Sequence, residues 1–176
     1  KPINTWKTYT PREQDGSLSC VAQSSAKVVE IINGAVWSAH PPYRSRSNFP
    51  EGGMYLQNIG DIMKNIGTTT ELLDKSQWQN ETSMNRDISA NLIQKVGGYV
   101  FVNNKDIDSV AESIELYKNC LLIFHCNKKE WIDVPKYLGD ATNFGHCVCA
   151  VDYFIYNGKK SRLIEYSTEP PNPFDG

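Results

Sequence analysis

No run of about eighteen consecutive apolar residues occurs in this chain, which excludes a helical membrane span. Charge of one sign is not in excess either. Eighteen basic against 20 acidic residues leave a formal net charge of −2, so no electrostatic footprint points to nucleic acid or an anionic membrane. Trp6, Trp37, Trp78 and Trp131 are scattered without a basic stripe, which gives base stacking no support. Glycine-rich phosphate loops, internal repeats and low-complexity blocks are missing. The five cysteines are an odd number, so intrachain disulfides cannot consume every thiol. Cys120, Cys126, Cys147 and Cys149 lie in apolar, strand-like runs, where cysteine behaves as a small buried hydrophobe. Cys147-Val-Cys149 lacks the paired chelating loops of structural zinc, and neither metal nor cofactor is expected. The chain opens at Lys1 without Met, as a processed or excised segment would.

What is present suits one globular domain, or two small lobes sharing a cleft: 176 residues, 40% hydrophobic and 22% charged. Val21, Ala22, Ala26, Val29 and Ile32 recur at helical spacing, which predicts a helix from Leu18–Cys20 to Ile32 with Gly34 just past its end. Residues 35–53, with Pro41, Pro42, Pro50 and Gly52-Gly53, read as an irregular crossing loop. Leu56, Ile59, Met63 and Ile66 mark a second helix stopped by Gly67, and a shorter helix is expected over 87–95. After residue 98 the pattern changes. Tyr99 to Val102 reads as a strand, and a helix from Ile107 to Tyr117 follows a cap at Asn104 or Asp106. Three further strands are expected at Cys120 to Cys126, His146 to Tyr156 and Ser161 to Ser167, the last two joined by the hairpin signal Asn157-Gly158.

The chemistry-bearing residues gather at two places in the sequence. Cys20 opens the first helix, where unpaired amides and the positive end of the macrodipole lower a thiol's pKa. Gln14, six residues earlier and separated by Asp15-Gly16, can fold back so that its amide and the Cys20 N–H form an oxyanion hole. His146 heads an alternating strand and supplies a base; His40 and His125 compete for that role. A sulfur nucleophile, a base and oxyanion donors are the parts of thiol acyl chemistry.

Together these segments resemble the papain-like cysteine peptidases. The resemblance lies in Tyr9-Thr10-Pro11-Arg12-Glu13-Gln14, then Gly16 and Ser19-Cys20-Val21-Ala22; in Glu51-Gly52-Gly53 before a helix; in Gly145-His146 with Val148-Cys149-Ala150-Val151-Asp152-Tyr153; and in Leu163-Ile164-Glu165-Tyr166-Ser167. The order of the segments agrees from about Trp6 to Ser167. The resemblance implies an α+β, papain-like two-lobe fold: a helical N-terminal lobe over about 1–98, a β-rich, barrel-like C-terminal lobe over about 99–176, a cleft between them, and one peptidase domain over 1–176. It implies an endopeptidase rather than an exopeptidase. Cys20 would be its nucleophile, His146 its acid/base and Gln14 its oxyanion donor. Gly52, Gly53 and Gly145 would hold an extended peptide or protein substrate.

Departures from the family pattern are specific. Val21 stands where the family has Trp, and Ser17 and Pro50 stand where it has its first-lobe disulfide partners. The third catalytic residue, Asn or Asp in the family, falls at Tyr166 by register, while a one-residue slip that would require a β-bulge brings Glu165 there. The rival readings are a papain-like binding or structural module that no longer cleaves, and a thioester-forming amidase or acyltransferase.

Overall fold

A computed structural model describes residues 11–103, 106–125, 145–156 and 158–165. Helix α1 spans Cys20–Asn33 and buries Val21, Ala22, Ala26 and Val29 as their spacing predicts. Ile32 is instead 60% exposed, and Ile31 is buried in its place. The reason is that α1 has two covered faces. Val21, Ala22, Ala26 and Val29 pack among Trp37, Tyr43, Ile59 and Met63, whereas Val28 and Ile31 meet Cys149 and Val151 of the sheet. Gly34 ends the helix in the left-handed region at φ 77°, its N–H donating to the Glu30 carbonyl.

The stretch expected to be wholly irregular contains α2, His40–Arg44, with prolines in its first turn, where a missing N–H costs nothing. Helix α3, Leu56–Asn65, buries Ile59, Ile62 and Met63, and Ile66 lies beyond its last turn. Two further expectations fail nearby. No helix forms over 87–95: α4 is Glu81–Met84, capped by the Asn80 side chain on the Ser83 N–H, and Gln94 makes an isolated bridge with Thr68. That pairing demands Gly67, at φ +88°, because a Cβ there would stand 2.3 Å from the Gln94 carbonyl oxygen. Nor is Tyr99 to Val102 a strand. The Tyr99 ring lies over Gly60 in the middle of α3, and its hydroxyl donates to Asp61, so a side chain rather than a backbone ladder secures this segment.

Helix α5, Ile107–Tyr117, is capped by the Asp106 carboxylate on the Asp108 N–H and buries Val110, Ala111 and Ile114. The strands β1, Cys120–His125, β2, Gly145–Tyr156, and β3, Lys159–Glu165, form an antiparallel sheet in the order β1-β2-β3. Among the described residues this sheet has three strands and is open. On β2 the residues alternate: Cys147, Cys149 and Val151 face α1, while Val148 and Ala150 lie on the other face. The β2–β3 register shifts between Ala150 and Asp152, so Val151 is one extra residue on β2. The fold is α+β, with α1 as the element that helices and sheet share.

Candidate active site

Asp15 and Gly16 both have positive φ, 46° and 75°, and the Ser17 N–H donates to the Gln14 carbonyl at 3.0 Å. This is a type I′ reversal, which an Asp-Gly pair accommodates with little strain. It turns the chain into α1. The Ser17 hydroxyl donates to the same carbonyl at 2.7 Å and lies 2.7 Å from the Ser19 hydroxyl. Cys20 follows as the first residue of α1 and is partly exposed.

Gln14 is 2% exposed. Two residues before it, buried Arg12 anchors the turn: its Nε donates to Gln23 at 2.9 Å, and one Nη reaches Glu71 at 3.2 Å and Ser76 at 3.1 Å. Its other Nη lies 3.6 Å from the Glu30 carboxylate. One guanidinium thus ties the Gln14 segment to α1 and to the 71–76 loop. Beside Gln14, the Glu13 carbonyl accepts the N–H of Trp78, whose side chain is 62% exposed.

The head of β2 reaches this turn from late in the chain. Ser24, one helical turn after Cys20, donates its hydroxyl to the Cys147 carbonyl at 3.0 Å. Cys20 packs against the cluster that contains buried Cys147. Burial pushes the Cys147 thiol well above its ordinary pKa, and the neighbouring Cys20 sulfur pushes it further. His146, adjacent on β2, is 3% exposed, and burial lowers its pKa to about 4. The imidazole is therefore neutral at pH 7. Gly145 is exposed at the strand head.

The other two histidines lie elsewhere in the fold. His40 is fully buried, with Nδ1 2.7 Å from an Asp74 carboxylate oxygen and Nε2 3.0 Å from the Arg86 carbonyl. Each ring nitrogen thus lies within hydrogen-bond distance of an oxygen, which fixes the ring in place. Asp74 is held below the usual carboxylate range, since bonds to His40 and Arg86 outweigh the opposing effect of burial. The backbone of His125 stands opposite Gly145 in the β1–β2 register. For the third catalytic position, Glu165 pairs with Cys149, three residues along β2 from His146. Tyr166, Ser167 and Cys126 lie outside the described residues.

The Gly52-Gly53 segment forms the neighbouring wall. A Cβ at Gly52 would meet the Leu18 side chain at 2.5 Å, so glycine permits the close approach of this loop to the nucleophile turn. The Asn48 amide donates to the carbonyls of Gly52 and Gly53, and the Gly53 N–H donates to the Tyr43 hydroxyl at 3.2 Å. No cluster of three or more His, Cys, Asp or Glu side chains suited to a metal ion forms among the described residues.

Arg12, Tyr43 and Glu81 escaped the sequence reading. A lone charged or aromatic residue in a loop carries no periodic signal, and only distant partners show that it is buried.

This architecture is the papain-like fold. It is similar to digestive procathepsin L 3 from the larval midgut of Tenebrio molitor, with a TM-score of 0.69 at 16% identity over 95% of this chain and 60% of that one. The Carica candamarcensis cysteine protease CMS1MS2 aligns with a TM-score of 0.62 at 18% identity, covering 84% of this chain and 75% of its own. Xylellain, a cysteine protease from Xylella fastidiosa, aligns with a TM-score of 0.63 at 14% identity, covering 87% and 74%. The chain thus spans 60% of the length of the procathepsin. No family model matches the sequence, and no curated protein matches it.

Proposed function

We propose that this chain is a thiol endopeptidase with Cys20 as nucleophile, built as one domain over 1–176 whose helical and β-rich lobes flank a cleft. The observation that carries the reading is the meeting of the α1 N-terminus with the head of β2. Cys20 lies in one cluster with Cys147, the residue after His146, across more than a hundred residues of sequence. Cys20 gives its thiol proton to His146, and the thiolate, stabilised at the helix N-terminus, attacks the peptide carbonyl carbon. The Gln14 amide and the Cys20 N–H hold the resulting oxyanion. His146 gives its proton to the leaving amine as the C–N bond breaks, leaving a thioester. It then takes a proton from water, which hydrolyses that thioester and frees the sulfur. An extended peptide would pair its backbone along Gly52 and pass Gly145. Because the Gly53 N–H already donates to Tyr43, pairing at Gly53 would require that amide to exchange acceptors.

The lowered pKa of His146 sets the energetics. Moving a proton from an ordinary thiol to an imidazole of pKa about 4 costs about 6 kcal/mol. The helix N-terminus and the thiolate itself must offset that cost before the sulfur can attack.

The test is hydrolysis of a peptide library under reducing conditions by the wild type and by Cys20→Ala. Cleavage by the first and none by the second is expected; equal rates would refute the reading. Burial of His146 favours a second reading, a papain-like module that binds without cleaving. A thiol-directed alkylating reagent separates the two. Selective labelling of Cys20 with an acid-shifted pH profile supports the peptidase, and labelling no faster than free cysteine supports the module. Product analysis with an added amine or a glutamine substrate would detect acyl transfer or amidase chemistry.

A further inference from the structure

The nucleophile turn and the Gly52-Gly53 loop come together at Leu18, yet Ser17 and Pro50 provide no covalent link between them. A single carboxylate reaches both. One oxygen of Glu81 accepts the Leu18 backbone N–H at 2.9 Å, two residues before Cys20. The other accepts the Tyr43 hydroxyl at 2.7 Å. That same hydroxyl accepts the Gly53 N–H at 3.2 Å. The result is one continuous path from the Gly53 amide through Tyr43 and Glu81 to the Leu18 amide.

The path is held from behind. Tyr43 is fully buried, and the Arg46 guanidinium lies 3.9 Å over its ring. Arg46 stands 3.6 Å from the Glu81 carboxylate and donates to the carbonyls of Glu51 and Pro50. Burial and the hydrogen bond to Glu81 both raise the Tyr43 pKa, so its proton stays on oxygen and points to the carboxylate. The hydroxyl can then offer only lone pairs to Gly53, and the order of donors along the path is fixed.

We propose that Glu81 and Tyr43 are positioning residues that set the spacing between the Cys20 turn and the peptide-binding loop at Gly52-Gly53. They do by charge-assisted hydrogen bonding what a disulfide between the two segments would do covalently. The proposal rests on the function proposed above for its consequence in catalysis, but the coupling itself does not depend on turnover. Tyr43→Phe removes the hydroxyl and keeps the ring. Glu81→Gln keeps the shape but leaves one oxygen to serve three donors, the Leu18 N–H, the Tyr43 hydroxyl and the Asn85 side-chain amide.

Two measurements on the full chain test it. Amide hydrogen exchange is read first. Glu81→Gln should speed exchange at both Leu18 and Gly53 by tenfold or more, and Tyr43→Phe should do so at Gly53. Unchanged exchange at Gly53 in Glu81→Gln would overturn the relay, and Tyr43→Phe still decides the matter if Glu81→Gln does not fold. Steady-state kinetics on an extended peptide follow. Each variant should raise KM at least fivefold with kcat within twofold of wild type, while Cys20 labelling by iodoacetamide is unchanged. Faster exchange with an unaltered KM would overturn the positioning role. A wild type that hydrolyses nothing would refute the peptidase reading, leaving exchange to decide the coupling.

Discussion

His146 illustrates how much a side chain's environment adds to its identity. Any histidine offers a base, but burial in this fold brings its pKa down to about 4, below the ordinary 6.5 or so of an unfolded chain. The unfolded state then binds more protons between those values, so stability rises with pH across that window. His146 should contribute its full share above about pH 6.5 and lose about 3 kcal/mol as pH falls to about 4. Urea denaturation at a series of pH values should show this slope, and His146→Asn should flatten it. Gln14 makes a separate prediction under the proposed mechanism. Removing one oxyanion donor as Gln14→Ala should lower kcat by roughly 10²–10³, with KM and the thermal midpoint nearly unchanged. An equal loss of stability would mean that the amide serves packing instead.

Elements explain why the site's parts hold their places. The Gln14 segment is irregular, but buried Arg12 ties it to Gln23 on α1 and to Glu71 and Ser76. Arg12→Met should cost about 3–5 kcal/mol, because it strands the Glu71 carboxylate without its cation and leaves Glu30 with Lys27 alone; guanidinium denaturation measures it. Glycine at position 67 has a different physical basis. There φ is +88° and a Cβ would strike the Gln94 carbonyl. Gly67→Ala should destabilise by at least ~2 kcal/mol through left-handed strain and the clash combined. Its thermal midpoint would show this, and loss of the Thr68–Gln94 bridge would accelerate exchange at the Thr68 amide.

Periodicity and punctuation revealed the elements that local chemistry governs. The stripe on α1, the glycine stop at Gly34, the Asp106 cap on α5 and the β2–β3 hairpin all depend on neighbours within a few residues, so they could be read in advance. The failures have a common cause. Residues 87–95 carry helical spacing, but Gln94 pairs with Thr68 instead. Tyr99 and Val100 look like a strand, but the partner Tyr99 finds is a glycine on α3. Ile32 fits the first apolar stripe, yet the sheet claims Ile31 on the next face. In each case a contact from far along the chain outweighed a weak local preference.

For the molecule as a unit, α1 is the element on which helices and sheet both depend. Ala22 and Ala26 are fully buried on the face that meets the helical cluster, while Val28 and Ile31 meet the sheet. Close packing there leaves no room for a larger side chain. Ala26→Leu should cost about 1–3 kcal/mol, and far-UV dichroism and tryptophan fluorescence should still change in one coincident transition. Divergence of the two probes would show that helices and sheet unfold separately.

Residue order alone established the α+β composition, the lack of a helical membrane span, a cysteine at a helix start preceded by Asp-Gly, and a histidine at the head of an apolar strand. These follow from interactions a few residues in range. It could not establish that the 20 and 147 thiols share a cluster, that His146 is buried, or that Glu81 and Tyr43 connect two loops. Those facts are set when α1 packs against β2 and when buried polar groups find partners 30 to 120 residues away, because burial and hydrogen-bond satisfaction belong to the assembled core and to no segment of it.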